Sequence, residues 1–128
     1  MLELHIKGTA ALTVTDEVTA AAVGSGMLPV FATPSMIALI EKAAAESVAA
    51  GLDPGMTTVG TRLDIAHTAA TPVGMAVLAE AELSEIDGRR LVFTVRAFDE
   101  AGEIGSGTHE RFIVNAEKFL AKAEAKKG

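Results

Sequence analysis

The sequence contains no cysteine, no tryptophan and no tyrosine, and aromatic residues make up only 4% of the chain. Without cysteine the protein can form neither a disulfide nor a thiolate metal site. No apolar run reaches the ~18 residues of a membrane-spanning helix, and the N-terminal stretch MLELHIKG is too charged for a signal peptide. These absences predict a soluble, cytoplasmic protein.

An excess of basic charge is also missing. The net charge is -6 at pH 7, and the only basic run, Lys122 to Lys127, is interleaved with alanine and glutamate. This composition offers no electrostatic footprint for nucleic acid or for an anionic membrane. The chain has no phosphate-binding loop and no nucleophile-elbow motif, and its histidines lack metal-ligand spacing. We therefore expect no nucleic-acid partner, no membrane partner and no metal site.

Hydrophobic residues, in contrast, make up 49% of the 128 residues, which is enough to build one globular domain over residues 1–128. The core is predicted around a helix that begins at Thr33, with Thr33 as its cap and Pro34 in its first turn, and closes at Gly51 in a left-handed conformation. Apolar residues cover more than half of its circumference, so the helix should be mostly buried. They are Met36, Ile37, Leu39, Ile40, Ala43, Ala44 and Val48.

Two glutamates, Glu41 and Glu46, flank this apolar arc. A carboxylate at the edge of a core needs a partner or a catalytic task, because its burial without one is costly. The angular position alone does not distinguish the two residues.

Apolar alternation, capping residues and glycines predict the other elements. In chain order these are a strand from Leu2 to Val14, a short helix from Thr15 or Asp16 to Val23, the central helix, strands over Thr57–His67, Val77–Leu83, Leu91–Phe98 and Glu103–Val114, and a helix over Asn115–Lys127. The fold class is therefore α+β, an antiparallel five-stranded sheet wrapped around a long helix. Its open sheet edges predict a homodimer, with a dimer of dimers left open.

Strand parity gives an orientation to some polar residues. His67 has the parity of Val59 and Leu63, so it should point towards the central helix, either as a hydrogen-bonded core histidine or as a functional one. His5 falls on the polar side of its strand. Parity does not orient His109 or Arg111, because glycines interrupt the alternation before them.

Two loops also carry predictions. For the hairpin around Gly88, a left-handed bulge at this glycine would pair Leu83 with Leu91 and keep one apolar face. The segment Gly24–Phe31 is compatible with a lid over a pocket and equally with a linker that places Leu28, Val30 and Phe31 in the core.

Several segments resemble the hotdog-fold thioesterases of the fluoroacetyl-CoA thioesterase type, from about Val30 to Phe119: VFATPSMIALIEKA, VGTRLDIAHTAATPVG, DGRRLVF and EIGSGTHERFIVNAEKF. The resemblance implies that Thr33, Glu41 and His67 form the catalytic constellation, which selects Glu41 over Glu46. It also implies that Gly60 and Arg111 contact the acyl group or its thioester. The segment GSGMLPVF departs from the phenylalanine-lined lid of the fluoroacetyl-specific enzyme, so the acyl group stays open.

The resulting expectation is hydrolysis of a short-chain acyl-CoA thioester to free acid and coenzyme A. Glu41 would attack the carbonyl or activate water, His67 would polarise the nucleophile or protonate the leaving thiolate, and Thr33 would orient them. Coenzyme A is then part of the substrate, and no cofactor is required. A non-catalytic acyl-CoA binding module and a hotdog hydratase of enoyl thioesters are the alternatives. The sequence leaves open whether one or both subunits build each site.

Overall fold

The computed structural model describes all residues, 1–128, as one five-stranded antiparallel sheet with three α-helices. The elements are β1 (Lys7–Thr13), α1 (Ala20–Val23), α2 (Thr33–Ala49), β2 (Met56–His67), β3 (Ala76–Asp87), β4 (Arg90–Asp99), β5 (Gly102–Asn115) and α3 (Ala116–Glu124), with 3-10 turns at Asp16–Val18 and Ala125–Lys127. The predicted α+β class is confirmed. No helix has the length and hydropathy of a membrane span.

The sheet does not follow the order of the chain. Its strand order is β1-β3-β4-β5-β2, so that β2 pairs only with β5 and β1 pairs only with β3. The strands β1 and β2 therefore form the two edges, and α2 packs against the sheet between them. The edge of β2 that faces away from β5 therefore has no partner strand.

Helix α2 supplies the centre of the core. Its buried side chains are the predicted ones except that Ile37 is only half-buried: Met36, Leu39, Ile40, Ala43, Ala44 and Val48. The prediction that Thr33 caps the helix is wrong, since Ala32 occupies the cap position and no side chain bonds there. Gly51 is not left-handed either. A Cβ at Gly51 would lie 2.6 Å from Cδ2 of Leu2, so a side chain here would require Leu2 to shift.

The first strand is shorter than predicted. It begins at Lys7, because His5 has a φ of 72° and breaks the extended chain before it. His5 is exposed, as predicted, and its Nδ1 lies 2.8 Å from a carboxylate oxygen of Glu82. The C-terminal helix is confirmed, with Asn115 accepting a hydrogen bond from the amide of Lys118 at its start.

A bulge in β2 reverses which side chains of its first half point to the inner face of the sheet. The register with β5 shifts between Gly60 and Arg62, which leaves Thr61 as the extra residue. Leu63 and His67 keep the predicted inner face, opposite His109 and Gly105. Before the bulge the inner residues are Thr58 and Gly60, so the predicted inward orientation of Val59 is wrong.

The hairpin between β3 and β4 differs from the prediction in its loop length and in the position of its bulge. Asp87 pairs with Arg90 across a two-residue loop, and the bulge lies inside β3 at Ser84. Leu83 therefore faces Phe93 and not Leu91, although the apolar face is preserved as predicted. Gly88 has the predicted left-handed conformation, with a φ of 61°.

Gly88→Ala should lower the free energy of unfolding by about 1 kcal/mol, because alanine resists this conformation. A Cβ at this position meets no atom within 4 Å, so the expected cost is conformational and not steric. Urea denaturation measures the effect. Arg89→Ala, in the same turn but without a positive φ, is the matched control and should cost less. Unchanged stability of Gly88→Ala would contradict the turn geometry.

Candidate active site

The first residue of α2 and the last residue of β2 meet at one end of the sheet. The Thr33 hydroxyl oxygen lies 2.7 Å from Nδ1 of His67, which is the contact that replaces the predicted helix cap. The other ring nitrogen, Nε2 of His67, is buried and has no hydrogen-bond partner. A buried polar atom without a partner is costly, so it is a candidate for contact with a ligand. Thr33 and His67 are called the Thr33–His67 pair below.

A cavity of about 310 Å³ lies beside this pair. Its wall combines Thr33 and His67 with small and apolar residues, namely Ala20, Ser25, Val30, Phe31, Thr68, Ala69 and Ala70. The linker interpretation is right for Phe31, which is buried, but wrong for Leu28, which is 65% exposed; Val30 is half-buried. The cavity therefore has room for a small acyl group.

A second polar group lies further along the same elements. A carboxylate oxygen of Glu41 is 3.5 Å from Nη1 of Arg111, whose side chain is only 8% exposed. Gly60 pairs with Arg111 across the sheet, and a Cβ at Gly60 would collide with the Glu41 carboxylate. Glycine here lets the Glu41 carboxylate approach the main chain, and a side chain at this position would displace it. Glu41, Gly60 and Arg111 are called the Glu41–Arg111 cluster.

The guanidinium of Arg111 is fixed by several bonds. Its Nε donates to the hydroxyl of Thr58 and its Nη2 donates to the carbonyl of Thr58, both at 2.9 Å. Burial lowers the pKa of Arg111, and the Glu41 carboxylate acts in the opposite direction. Arginine still stays protonated in proteins, so the cluster holds a fixed cation beside Glu41. Glu46, in contrast, is exposed.

One chain does not bring the two groups together. Thr33 and Glu41 are separated by two helical turns, which is ~12 Å at 1.5 Å per residue. Gly60 and His67 lie at opposite ends of the exposed part of β2, roughly 20 Å apart at about 3.3 Å per residue. Glu41 and His67 therefore make no contact within a chain, and the residues of the expected constellation lie in two separate groups, which are called half sites below.

The sequence did not identify two residues of this region, Thr58 and His109. His109 is fully buried and lies 3.2 Å from Nη1 of Arg111. Residues two apart on a strand share a face, so the sequence H-E-R already indicates that His109 and Arg111 lie on the same side of the sheet. That this side is the inner one became clear only from the pairing of β5 with β2.

Stability should fall as the pH drops through the histidine range. Burial lowers the pKa of both His67 and His109, and for His109 the hydrogen bond to the carbonyl of Arg62 acts in the opposite direction. The unfolded chain then binds more protons between the lowered value and the ordinary value of ~6.5, so stability rises with pH through this window and is constant above it. The melting temperature should be lower at about pH 5.5 than at about pH 7.5. A higher melting temperature at the acidic pH would contradict the burial of both neutral rings.

Comparison with known proteins agrees with this geometry. The family described as FlK, fluoroacetyl-CoA-specific thioesterase, matches residues 14–117. A fluoroacetyl-CoA thioesterase of Streptantibioticus cattleyicolor is 48% identical over 97 residues, which are 76% of this chain and 70% of that protein. The solved structure of the fluoroacetyl-CoA thioesterase FlK superimposes with a TM-score of 0.93 at 38% identity, covering 98% of both chains.

A variant of FlK solved in complex with fluoroacetate and CoA is also similar, with a TM-score of 0.87 at 38% identity over 92% of this chain and 99% of that one. The resemblance found in the sequence and the fold that it implied are thus confirmed. The chain belongs to the fluoroacetyl-CoA-specific thioesterase family and has its hotdog fold.

Proposed function

We propose that this protein hydrolyses a short-chain acyl-CoA thioester to the free acid and coenzyme A. The observation that carries the proposal is the Thr33–His67 pair, whose buried Nε2 has no partner and lies beside a small cavity. An imidazole in this state can take or give a proton once a substrate is bound. Membership of a thioesterase family supports a thioester as that substrate.

In the proposed reaction, Glu41 attacks the thioester carbonyl or, as a general base, removes a proton from the attacking water. If Glu41 attacks, the carbon–sulfur bond breaks to leave an acyl anhydride of Glu41, which water then hydrolyses to the free acid; if Glu41 is the base, water attacks and the same bond breaks directly. In both cases the leaving thiolate takes a proton from the ring of His67, and the proton released by the attacking water restores the ring. The hydroxyl of Thr33 orients the ring of His67, since it lies at 2.7 Å from Nδ1. The amide of Gly60 and the guanidinium of Arg111 would hold the acyl carbonyl as negative charge develops on its oxygen.

This reaction needs both half sites, so we propose that two chains build each active site. The strand β2 is an unpaired edge, and Leu63 on its inner face is 42% exposed. Because Thr61 is the extra residue of the bulge, antiparallel pairing of two copies of β2 around an axis at Asp64 would place His67 opposite Gly60 of the other copy. The Thr33–His67 pair of one chain would then adjoin the Glu41–Arg111 cluster of the other.

The protein should accordingly be a homodimer in solution. Pairing of the β2 edges satisfies backbone groups that are otherwise open to water, and it covers the exposed side chain of Leu63. Light scattering coupled to size exclusion at micromolar concentration measures the mass. A monomer under these conditions would contradict the shared site, whereas a dimer of dimers would remain compatible with it.

The test of the proposed function is release of free thiol from a panel of acyl-CoAs, including acetyl-CoA, fluoroacetyl-CoA and longer saturated chains. We expect turnover with short-chain acyl-CoAs and lower turnover with longer chains. Saturable binding without thiol release would favour the acyl-CoA binding module. Loss of the enoyl absorbance of an unsaturated acyl-CoA, again without thiol release, would favour the hydratase.

We also propose that the reaction requires no metal and no cofactor, because a carboxylate, an imidazole and water suffice for hydrolysis. Dialysis against a chelator should leave thiol release unchanged. The cytoplasmic location predicted from the sequence belongs to the same proposal, and cell fractionation would test it.

A further inference from the structure

His109 is a fully buried titratable residue to which the proposed reaction gives no role. It lies on β5, two residues before Arg111, and its ring packs beside Phe93 with ring centroids 6.2 Å apart. Both of its nitrogens have partners. Nδ1 is 2.8 Å from the carbonyl oxygen of Arg62, and Nε2 is 3.2 Å from Nη1 of Arg111.

These two partners determine the tautomer of the ring. A carbonyl oxygen only accepts hydrogen bonds, so Nδ1 of His109 must carry a proton. The guanidinium of Arg111 only donates, so Nε2 must be the unprotonated nitrogen that accepts. A protonated ring would place an N–H group against the cation of Arg111. The bonded geometry thus corresponds to the neutral Nδ1–H form.

The carbonyl that fixes this tautomer belongs to the bulge of β2. Arg62 follows the extra residue Thr61, at the point where the register between β2 and β5 shifts. The chain of contacts therefore runs from the bulge through His109 to Nη1 of Arg111, and from the same Nη1 to Glu41 at 3.5 Å. The Thr58 bonds fix the other two nitrogens of the guanidinium.

We propose that His109 is a positioning residue, which holds Nη1 of Arg111 towards Glu41 by accepting its hydrogen bond. This inference rests on the proposed function, since Arg111 and Glu41 gain importance only through the hydrolysis of the thioester. His109 itself does not touch the reacting atoms. Its loss would leave a buried N–H group of Arg111 without an acceptor and would release the orientation of the carboxylate.

Two substitutions separate the roles of the two ring nitrogens. His109→Asn can keep a donor near the Nδ1 position for Arg62, but it provides no acceptor for Arg111. His109→Gln is longer and can place its amide oxygen near the Nε2 position. We expect His109→Asn to lower kcat by about tenfold or more with little change in KM, and His109→Gln to recover most of kcat. His5→Asn, an exposed histidine distant from the site, is the matched control and should behave like the unaltered protein.

A cycle with Arg111→Met tests whether His109 acts through the arginine. In that background His109→Asn should cost little further, because the bond that it removes no longer exists. Each variant is compared at a temperature at which it is fully folded. Equal losses for the asparagine and glutamine variants, an unaffected asparagine variant, or full additivity with Arg111→Met would overturn the proposal.

A measurement on the unaltered protein covers the case in which the variants do not fold. Long-range proton–nitrogen NMR correlation spectra at neutral pH should show His109 as the neutral Nδ1–H tautomer. The Nε2–H tautomer or a protonated ring would overturn the inference. This readout does not depend on turnover, so absence of thiol release by the unaltered protein would refute the proposed function and leave the tautomer to be judged separately.

Discussion

Glu41→Gln should lower thioester turnover by about 10² or more while leaving the fold intact, because glutamine keeps the shape of the side chain but can neither attack a carbonyl nor remove a proton. The same loss is expected of His67→Ala, which removes the ring whose Nε2 has no partner. Steady-state thiol release measures both effects. Circular dichroism and the melting temperature confirm that the variants are folded.

Glu46→Gln is the control for Glu41, since it makes the same chemical change on the other flank of α2, where the side chain is exposed. It should have little effect. A chain with both Glu41 and His67 replaced should be hardly worse than the poorer single variant, because groups that act in one step are not additive. Full hydrolysis by Glu41→Gln would leave Glu41 as the ion-pair partner of Arg111 only.

Mixing two inactive variants should restore activity, which is the most direct consequence of a site built from two chains. A dimer of one Glu41→Gln chain and one His67→Ala chain has one site with both residues intact and one site with neither. With random exchange of chains, half of the dimers are mixed, so about a quarter of the unaltered activity should return. Relative to variants reduced by about 10², this is an increase of more than tenfold.

The experiment requires refolding or co-expression of the two chains, followed by the thiol-release assay at equal protein concentration. The matched control mixes Glu41→Gln with the chain that carries both replacements, because no chain of that mixture supplies Glu41. It should show no gain. If the first mixture merely averages the activities of its components, each site lies within one chain and the proposed pairing of β2 is wrong.

The sequence predicted the elements well where local chemistry determines them. The apolar arc of α2 and the alternation of Val77, Ala79, Ala81 and Leu83 correspond to the buried core. Gly88 has the left-handed conformation that its turn requires. In each case neighbouring residues carry the signal, so the rest of the fold is not needed to interpret it.

Side-chain orientation was less predictable where a bulge interrupts a strand. The bulge residues Thr61 and Ser84 have no distinctive side chain, yet each reverses the facing of one part of its strand. His67 was oriented correctly because it follows the bulge together with Leu63, whereas Val59 precedes it and was not. The cap assigned to Thr33 failed for another reason: its hydroxyl bonds to His67, which is distant in the sequence.

The identity of the half sites came from the resemblance, and their geometry came from the structure. Angular position did not separate Glu41 from Glu46, and the family motif did. Neither angular position nor the family motif revealed that Glu41 lies beside Arg111 and Gly60 while His67 contacts Thr33. That division depends on the bulge and on the strand order, which are long-range properties.

The order of the sheet also bears on the folding pathway. The hairpin of β3 and β4 closes over two residues, whereas the bond from Arg111 to Thr58 spans 53 positions of the chain. Closing a long loop costs more chain entropy, so we expect β3, β4 and β5 to associate early and β2 to dock late. Residues 56–67 would also be among the first to detach by local opening, which should appear as rapid amide exchange. In that case a second chain bound along β2 would act as a clamp, and the contact that completes catalysis would also protect the least stable edge of the protein.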